Sequence, residues 1–187
     1  MCTVPVLDRI CRESYNNPRA LCETLKQRGM DLLTFTDHDS IEAAEALRAR
    51  PDFFLSEEVT CRTPTGTVIH VGVYDIQDHH HLQMQRRRED IVARVEYLHE
   101  QNLFFSINHV FSRLTGPRTD HDFGLFENHF PAMEVLNGQM LASSNRAAAQ
   151  LARRWGKAAV AGAMRTRWVP SAGHTRKLME QTTLQGI

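Results

Sequence analysis

The chain has 187 residues, enough for one domain with a sizeable core, and its 22 basic and 22 acidic residues leave a net charge near zero. That balance gives no electrostatic case for a nucleic-acid partner, and no apolar run approaches the roughly 18 residues of a membrane span. With no signal-peptide pattern at the start and no CxxC spacing among four cysteines, we expect a cytoplasmic protein with reduced thiols and no membrane partner.

Strand-like and helix-like segments alternate along the chain. The predicted elements are, in order, a helix over 18–28, a strand over 30–36, a helix over 40–48, strands over 53–60 and 67–74, a long helix over 78–101, a strand over 103–108, a loop over 110–130, a strand over 132–136, a helix over 143–155 and a strand over 158–161. The turn residues at 63–67 favour a hairpin between the second and third strands. This alternation indicates one α/β domain over 1–187 with a largely parallel sheet.

Histidine and acidic side chains stand at or near the ends of several predicted strands. His38 follows the first strand, Glu58 and His70 lie in the two hairpin strands, and His109 follows the strand over 103–108. A single histidine at such a place is more often a hydrogen-bonded structural residue than a ligand. As a set, these residues predict a site for divalent metals, because imidazole with carboxylate suits Zn, Mn or Fe, and a carboxylate can bridge two ions.

At these residues the chain resembles a known family, the PHP (polymerase and histidinol phosphatase) metal-dependent phosphoesterases. The matching segments are Arg28-Gly29-Met30-Asp31 with Thr36-Asp37-His38, then Ser56-Glu57-Glu58-Val59, Ile69-His70-Val71-Gly72, Ile107-Asn108-His109 and Glu134-Val135-Leu136-Asn137-Gly138. The resemblance implies a distorted (β/α)7 TIM-like barrel. It also implies hydrolysis of a small-molecule or nucleotide phosphate ester.

The resemblance further implies roles for single residues. The implied metal ligands are His38, Glu58, His70 and His109. Asp37 and Asn108 would orient the ligands through hydrogen bonds without binding metal themselves. A metal-bound water is the expected nucleophile. Arg113 and Arg118 in the loop over 110–130 could contact a substrate phosphate, as arginine suits that role. Asn137 either lines the pocket or caps a turn.

Two motifs of the family are missing from this chain. The family begins with an aspartate-leucine-histidine-x-histidine strand, whereas residues 1–17 contain no histidine and resemble the linker after that strand. The family ends with Gly-Ser-Asp-Ala-His, where this chain reads Gly162-Ala163-Met164-Arg165. Our hypothesis for 163–187 is a frameshift just before Ala163, and the alternative is a diverged loop. We therefore expect an incomplete barrel, fewer than the three metals that relatives hold, and impaired activity.

Two further functions stay open beside a metal-dependent phosphoesterase. The chain could be a catalytically inactive remnant of the family, or a binding module that uses the barrel without metal chemistry. Metal content would separate the first function from these two. The run His79-His80-His81 is interpreted as a solvated loop before a helix, and Arg86-Arg87-Arg88 as a solvated helix face.

Overall fold

The protein is described by a computed structural model over residues 17–112 and 114–162. The predicted linker before Asn17, the altered motif over 163–187 and Arg113 lie outside the described residues. The predictions of a missing first strand, a frameshift and a single domain over the whole chain therefore stay predictions.

Six helices and five strands follow one another along the described part of the chain. They are α1 (Pro18–Gln27), α2 (Glu42–Glu45), β1 (Ser56–Arg62), β2 (Val68–Tyr74), α3 (Asp78–Arg86), α4 (Ile91–Glu100), β3 (Phe104–Asn108), α5 (Asp120–His129), β4 (Ala132–Asn137), α6 (Ala142–Arg154) and β5 (Ala158–Gly162). The predicted mixed α/β class is confirmed. None of the described helices has both the length and the apolar character needed to traverse a bilayer.

The five strands form one sheet in the order β1-β2-β3-β4-β5. The predicted hairpin is confirmed, because β1 and β2 pair antiparallel over their whole lengths. The prediction of a largely parallel sheet is wrong in its first half, since β2 also pairs antiparallel with β3, and only β3, β4 and β5 run parallel. Among the described residues the sheet is open, so closure into a barrel stays a prediction.

The segment over 30–36, predicted as a strand, is extended chain beside β1 rather than a continuous strand. It touches the sheet through two isolated parallel bridges, Leu33 to Phe53 and His38 to Glu58. Backbone hydrogen bonds fix the second bridge, because Glu58 N donates to the Asp37 carbonyl (3.0 Å) and Asp39 N donates to the Glu58 carbonyl (2.9 Å). This segment therefore adds a sixth, partly formed strand next to β1 and places His38 beside Glu58.

Two helical predictions need correction. The long helix over 78–101 is two helices, because Asp90 leaves helical geometry and caps α4 by accepting hydrogen bonds from Val92 N and Ala93 N. The loop over 110–130 contains α5, which starts with a capping box between Thr119 and Asp122. His81, assigned to a solvated loop, lies in α3 and contacts the buried Glu57.

The two faces of the sheet differ in chemistry. One face is apolar and almost fully buried, with at most 1% exposure at Val59, Cys61, Ile69, Val71, Val73, Phe105 and Ile107. Helices α3 and α4 cover it, as Gln85 donates to Glu57 (2.6 Å) and Arg94 donates to the Thr60 carbonyl (3.3 Å). Because side chains alternate along a strand, the residues between these apolar positions face the other side, and that side carries the polar cluster described next.

Candidate metal centre

The candidate ligands meet at one edge of the sheet. The carboxyl ends of β1 and β3 lie at this edge, together with the amino end of β2, because β2 runs in the opposite direction. His70 was grouped with residues at carboxyl strand ends, but it is the third residue of β2 and pairs with Asn108, the last residue of β3. The antiparallel course of β2 thus brings His70 beside His109, and Glu58, the third residue of β1, joins them from the same face of the sheet.

Three of the four predicted ligands form a compact group. One nitrogen or oxygen atom from each of His38, Glu58 and His70 lies within 4.8 Å of the others, a spacing that one metal ion could fill. His38 Nε2 is 3.2 Å from Glu58 Oε2, and the ring centroids of His38 and His70 are 4.6 Å apart. Glu58 is only 5% exposed, so its carboxylate needs partners of opposite charge or hydrogen-bond donors.

The fourth predicted ligand, His109, joins the group from the other side. Its Nε2 is 2.5 Å from His70 Nδ1, and its Nδ1 is 3.7 Å from Glu58 Oε1. The two oxygens of Glu58 therefore face different neighbours, with Oε2 toward His38 and Oε1 toward His109. That arrangement suits a carboxylate placed between two binding positions.

A second layer of polar residues supports Glu58. Asn108 Nδ2 donates to Glu58 Oε1 (2.8 Å), and Ser106 Oγ donates to Asn108 Oδ1 (2.6 Å), which fixes the orientation of the amide. Gly72 lies between Glu58 and Ser106 in the sheet register, where a side chain would press on Asn108. Asn108 thus lies directly behind Glu58, and its predicted role toward a metal ligand stays a prediction. Asp37, also expected to support a ligand, contacts Glu58 through its backbone carbonyl.

Sequence reasoning quoted Glu134 in a family-like segment but gave it no role. Its carboxylate is 6% exposed and contacts His109 twice, because Oε2 accepts from the backbone N (2.8 Å) and lies 3.2 Å from Nδ1. Its Oε1 accepts from Asn137 Nδ2 (2.9 Å). The available sequence signal was an acid inside the hydrophobic run over 132–136, which forms the strand parallel to β3.

Asp39 was also missed, although it follows His38 directly. Its backbone has a φ of 51°, in the left-handed region that Asn and Asp tolerate better than most residues. This conformation lets Oδ1 accept from Thr60 N (3.0 Å), which ties the His38 segment to β1 near the site. Asp39 therefore anchors the ligand-bearing turn rather than joining the ligand group.

Arg118 was predicted to contact substrate. Its guanidinium donates to the backbone carbonyls of Val68 (3.0 Å) and Thr115 (3.2 Å), while its buried Nε has no hydrogen-bond partner among the described residues. Burial lowers the pKa of Arg118, and its positive charge contributes to lowering the pKa of His70. Arg118 therefore lies close enough to the cluster to act on it electrostatically.

Asn137 lies at the wall of a small cleft beside the cluster. The cleft opens next to His109 and Glu134 and is walled by Met140 and Ser144 from the start of α6. Asn137 Oδ1 also accepts from Gln139 N (2.9 Å), so both earlier alternatives, lining the pocket and capping a turn, describe its surroundings. Arg113 lies outside the described residues, so its predicted contact with a substrate phosphate stays a prediction.

The electrostatics of the two central histidines differ. Burial, followed by repulsion from His109 and His38, lowers the pKa of His70 to about 3, so this ring is neutral and keeps a lone pair at pH 7. Burial also disfavours the charged form of His109, but the Glu134 hydrogen bond and the nearby charge of Glu58 raise its pKa overall. The His109 ring is therefore protonated more readily than the His70 ring.

Solved structures share this fold. A protein from Bifidobacterium adolescentis, proposed to be a metal-dependent phosphoesterase, matches with a TM-score of 0.57 and 12% identity over 92% of this chain and 92% of that chain. An amidohydrolase from Chromobacterium violaceum, solved with bound sulfate and no metal, matches with a TM-score of 0.52 and 15% identity over 88% and 91%. No protein-family model and no curated protein matches the sequence. The chain thus has the fold of these two hydrolases, which supports its resemblance to a PHP-like family.

Proposed function

We propose that this chain is a metal-dependent hydrolase of phosphate esters, with metal held by His38, Glu58, His70 and His109. The observation that carries the proposal is the convergence of nitrogen and oxygen atoms from these four side chains, which separate segments deliver to one sheet edge. Burying four ionisable groups side by side costs desolvation free energy and destabilises the fold unless a ligand compensates for it. The PHP-type barrel that the sequence implies is part of this proposal.

The donor set fits divalent Mn, Zn or Fe. Three imidazoles and one carboxylate are the ligands these ions prefer, and the low pKa of His70 leaves its nitrogen free to bind. Bound ions would act as Lewis acids on a phosphoryl oxygen and lower the pKa of a water molecule. With four side chains available among the described residues, we propose one or two ions rather than three.

The protein's own side chains have separable tasks in this proposal. Asn108 and Ser106 hold the Glu58 carboxylate so that both of its oxygens keep their directions. Arg118 supplies a fixed positive charge near His70 and His109, where a phosphate dianion would be attracted.

Amide hydrolysis is the second candidate, because one structural neighbour is described as an amidohydrolase. The same metal-ligand set would polarise a carbonyl as readily as a phosphoryl group. The observation that favours phosphate is Arg118, since a neutral amide gains little from a buried guanidinium, whereas a phosphate gains a charge partner.

The test loads the full chain, stripped with a chelator, with Mn²⁺, Zn²⁺ or Fe²⁺ and measures metal content and hydrolysis of p-nitrophenyl phosphate and p-nitroacetanilide. We expect bound metal and phosphate release, both reduced in Glu58→Gln. His99→Ala is the matched control, because the ring packs on Phe105 at the apolar face of the sheet, opposite the cluster, and its Nε2 donates to the His129 carbonyl. Metal binding without hydrolysis of either compound would favour a remnant that still holds metal but is catalytically inactive. Absence of metal binding would contradict the proposal.

A further inference from the structure

Glu134 has contacts that no ligand role explains. Both oxygens are occupied by protein groups, because Oε2 meets the backbone N and Nδ1 of His109 and Oε1 meets Asn137 Nδ2. Strand β5 also packs closely against the carboxylate, because a Cβ at Gly162 would collide with Oε1. A buried acid with one oxygen directed at both the backbone N and Nδ1 of one histidine is placed to control that histidine.

The hydrogen-bond pattern fixes where the His109 proton sits. An ionised carboxylate only accepts, so His109 Nδ1, at 3.2 Å from Oε2, carries the proton and donates it. Glu58 Oε1 is the other acid near Nδ1, but its distance of 3.7 Å is beyond hydrogen-bond range. Glu134 is therefore the acceptor for Nδ1, and Glu58 stays available to the cluster.

The opposite nitrogen of His109 then has a lone pair. Nε2 is 2.5 Å from His70 Nδ1, so at most one proton can lie between the two rings. A neutral His109 with its proton on Nδ1 presents the Nε2 lone pair to this point. A proton of His70 fits between the two rings, whereas a cation bound by both nitrogens at about 2.0–2.1 Å would lie to one side of the line that joins them. The ring reaches this position from a strained backbone, since His109 has a φ of 31°, and the Glu134 contact to its backbone N holds that conformation.

We propose that Glu134 is the positioning residue of the cluster, which holds His109 in its Nδ1-protonated form and aims the Nε2 lone pair at the point facing His70. The metal-binding consequence rests on the proposed function, whereas the tautomer is a property of the protein alone. Carboxylates that hold a ligand histidine in this way orient the ring and raise its basicity, and their loss typically costs about 10–100-fold in metal affinity.

The first experiment reads the tautomer directly. In metal-free, ¹⁵N-histidine-labelled full chain at pH 8.5, two-bond ¹⁵N–¹H correlation spectra distinguish Nδ1–H from Nε2–H rings, and His109→Gln assigns the His109 signals. We expect the Nδ1–H form in the wild type and in Glu134→Gln, whose amide oxygen still accepts. Glu134→Ala should shift His109 toward the Nε2–H form. A wild-type His109 in the Nε2–H form would overturn the proposal, even if the alanine variant does not fold.

The second experiment separates positioning from a merely structural role. Zn²⁺ affinity, measured by competition with a chelating dye, should fall about 10–100-fold in Glu134→Ala and be largely retained in Glu134→Gln. Asp122→Asn is the control, because Asp122 is an equally buried acid that contacts threonines away from the cluster. That variant should lose stability but not affinity. Equal affinity in Glu134→Ala and the wild type would refute positioning. A wild type with the expected tautomer but no metal binding would instead refute the proposed function.

Discussion

Gly72 provides a sharp test of how the polar face of the sheet is packed. A Cβ at this position would lie 2.7 Å from the Tyr74 hydroxyl, 3.0 Å from Asn108 Nδ2 and 3.1 Å from Ser106 Oγ. Each distance is shorter than an ordinary van der Waals contact. Gly72→Ala should therefore push on the residues that hold Glu58, although the new atom is a single methyl group.

The expected cost follows from three contributions. Overpacking by one methyl group costs about 1–3 kcal/mol. If Asn108 moves away, the hydrogen bond to the charged Glu58 is weakened, and such bonds contribute about 1.5–3 kcal/mol. Replacing a glycine returns about 0.5–1 kcal/mol of backbone entropy. Because the hydrogen bond is weakened rather than lost, we expect a net loss near the lower end of this sum, about 2 kcal/mol in the free energy of unfolding, with weaker metal binding.

Urea denaturation of the metal-free full chain measures this loss. A change of about 2 kcal/mol should lower the midpoint by about 1 M, given slopes of about 1–3 kcal/mol per M. Gly124→Ala is the matched control, because Gly124 lies within α5 with open space around it, and helix propensity predicts a gain of about 1 kcal/mol. Equal midpoints for Gly72→Ala and the wild type would refute the described packing around Asn108.

Three further predictions concern stability. Asp122→Asn should cost about 2 kcal/mol at pH 7. Burial disfavours the Asp122 carboxylate, but hydrogen bonds led by that of Thr65 hold its pKa well below 3.8, so its stabilisation is lost as the pH falls. Urea midpoints of variant and wild type should therefore converge below about pH 4, and a constant difference would contradict this. Phe105→Ala should cost about 3–5 kcal/mol at a fully buried position, and a calorimetric loss under 1 kcal/mol would be inconsistent with burial. His81→Ala leaves buried Glu57 with one partner fewer and should cost about 1–3 kcal/mol, whereas unchanged thermal unfolding would mean that the pair contributes nothing.

The grouping of the four candidate ligands was predictable from the sequence because the signal was local. His38, Glu58, His70 and His109 each stand next to a hydrophobic strand, and a family resemblance assigned them a common purpose. The hairpin was predictable for the same reason, since its turn residues lie between two strand-like runs. The direction of β2 relative to β3 was not, because two helices separate them and alternation along a strand carries no information about its orientation.

Other features depended on contacts between distant segments. Nothing local marks Glu134 as the partner of His109, which is 25 residues away in sequence. The break between α3 and α4 rests on one capping residue, Asp90, inside a continuous helical pattern. The start of α5 was visible as Thr119 followed by Asp122, but the surrounding glycine, proline and charges favoured a loop.

The most direct test of the metal centre is to locate a bound ion. Crystals of the full chain grown with Zn²⁺ should give an anomalous difference peak between His38 Nε2, Glu58 and His70, at about 2.0–2.2 Å from the ligating atoms. The account predicts that this peak disappears in Glu58→Gln and is retained in Asp122→Asn. A zinc-loaded protein whose only peaks lie away from these three side chains would contradict it.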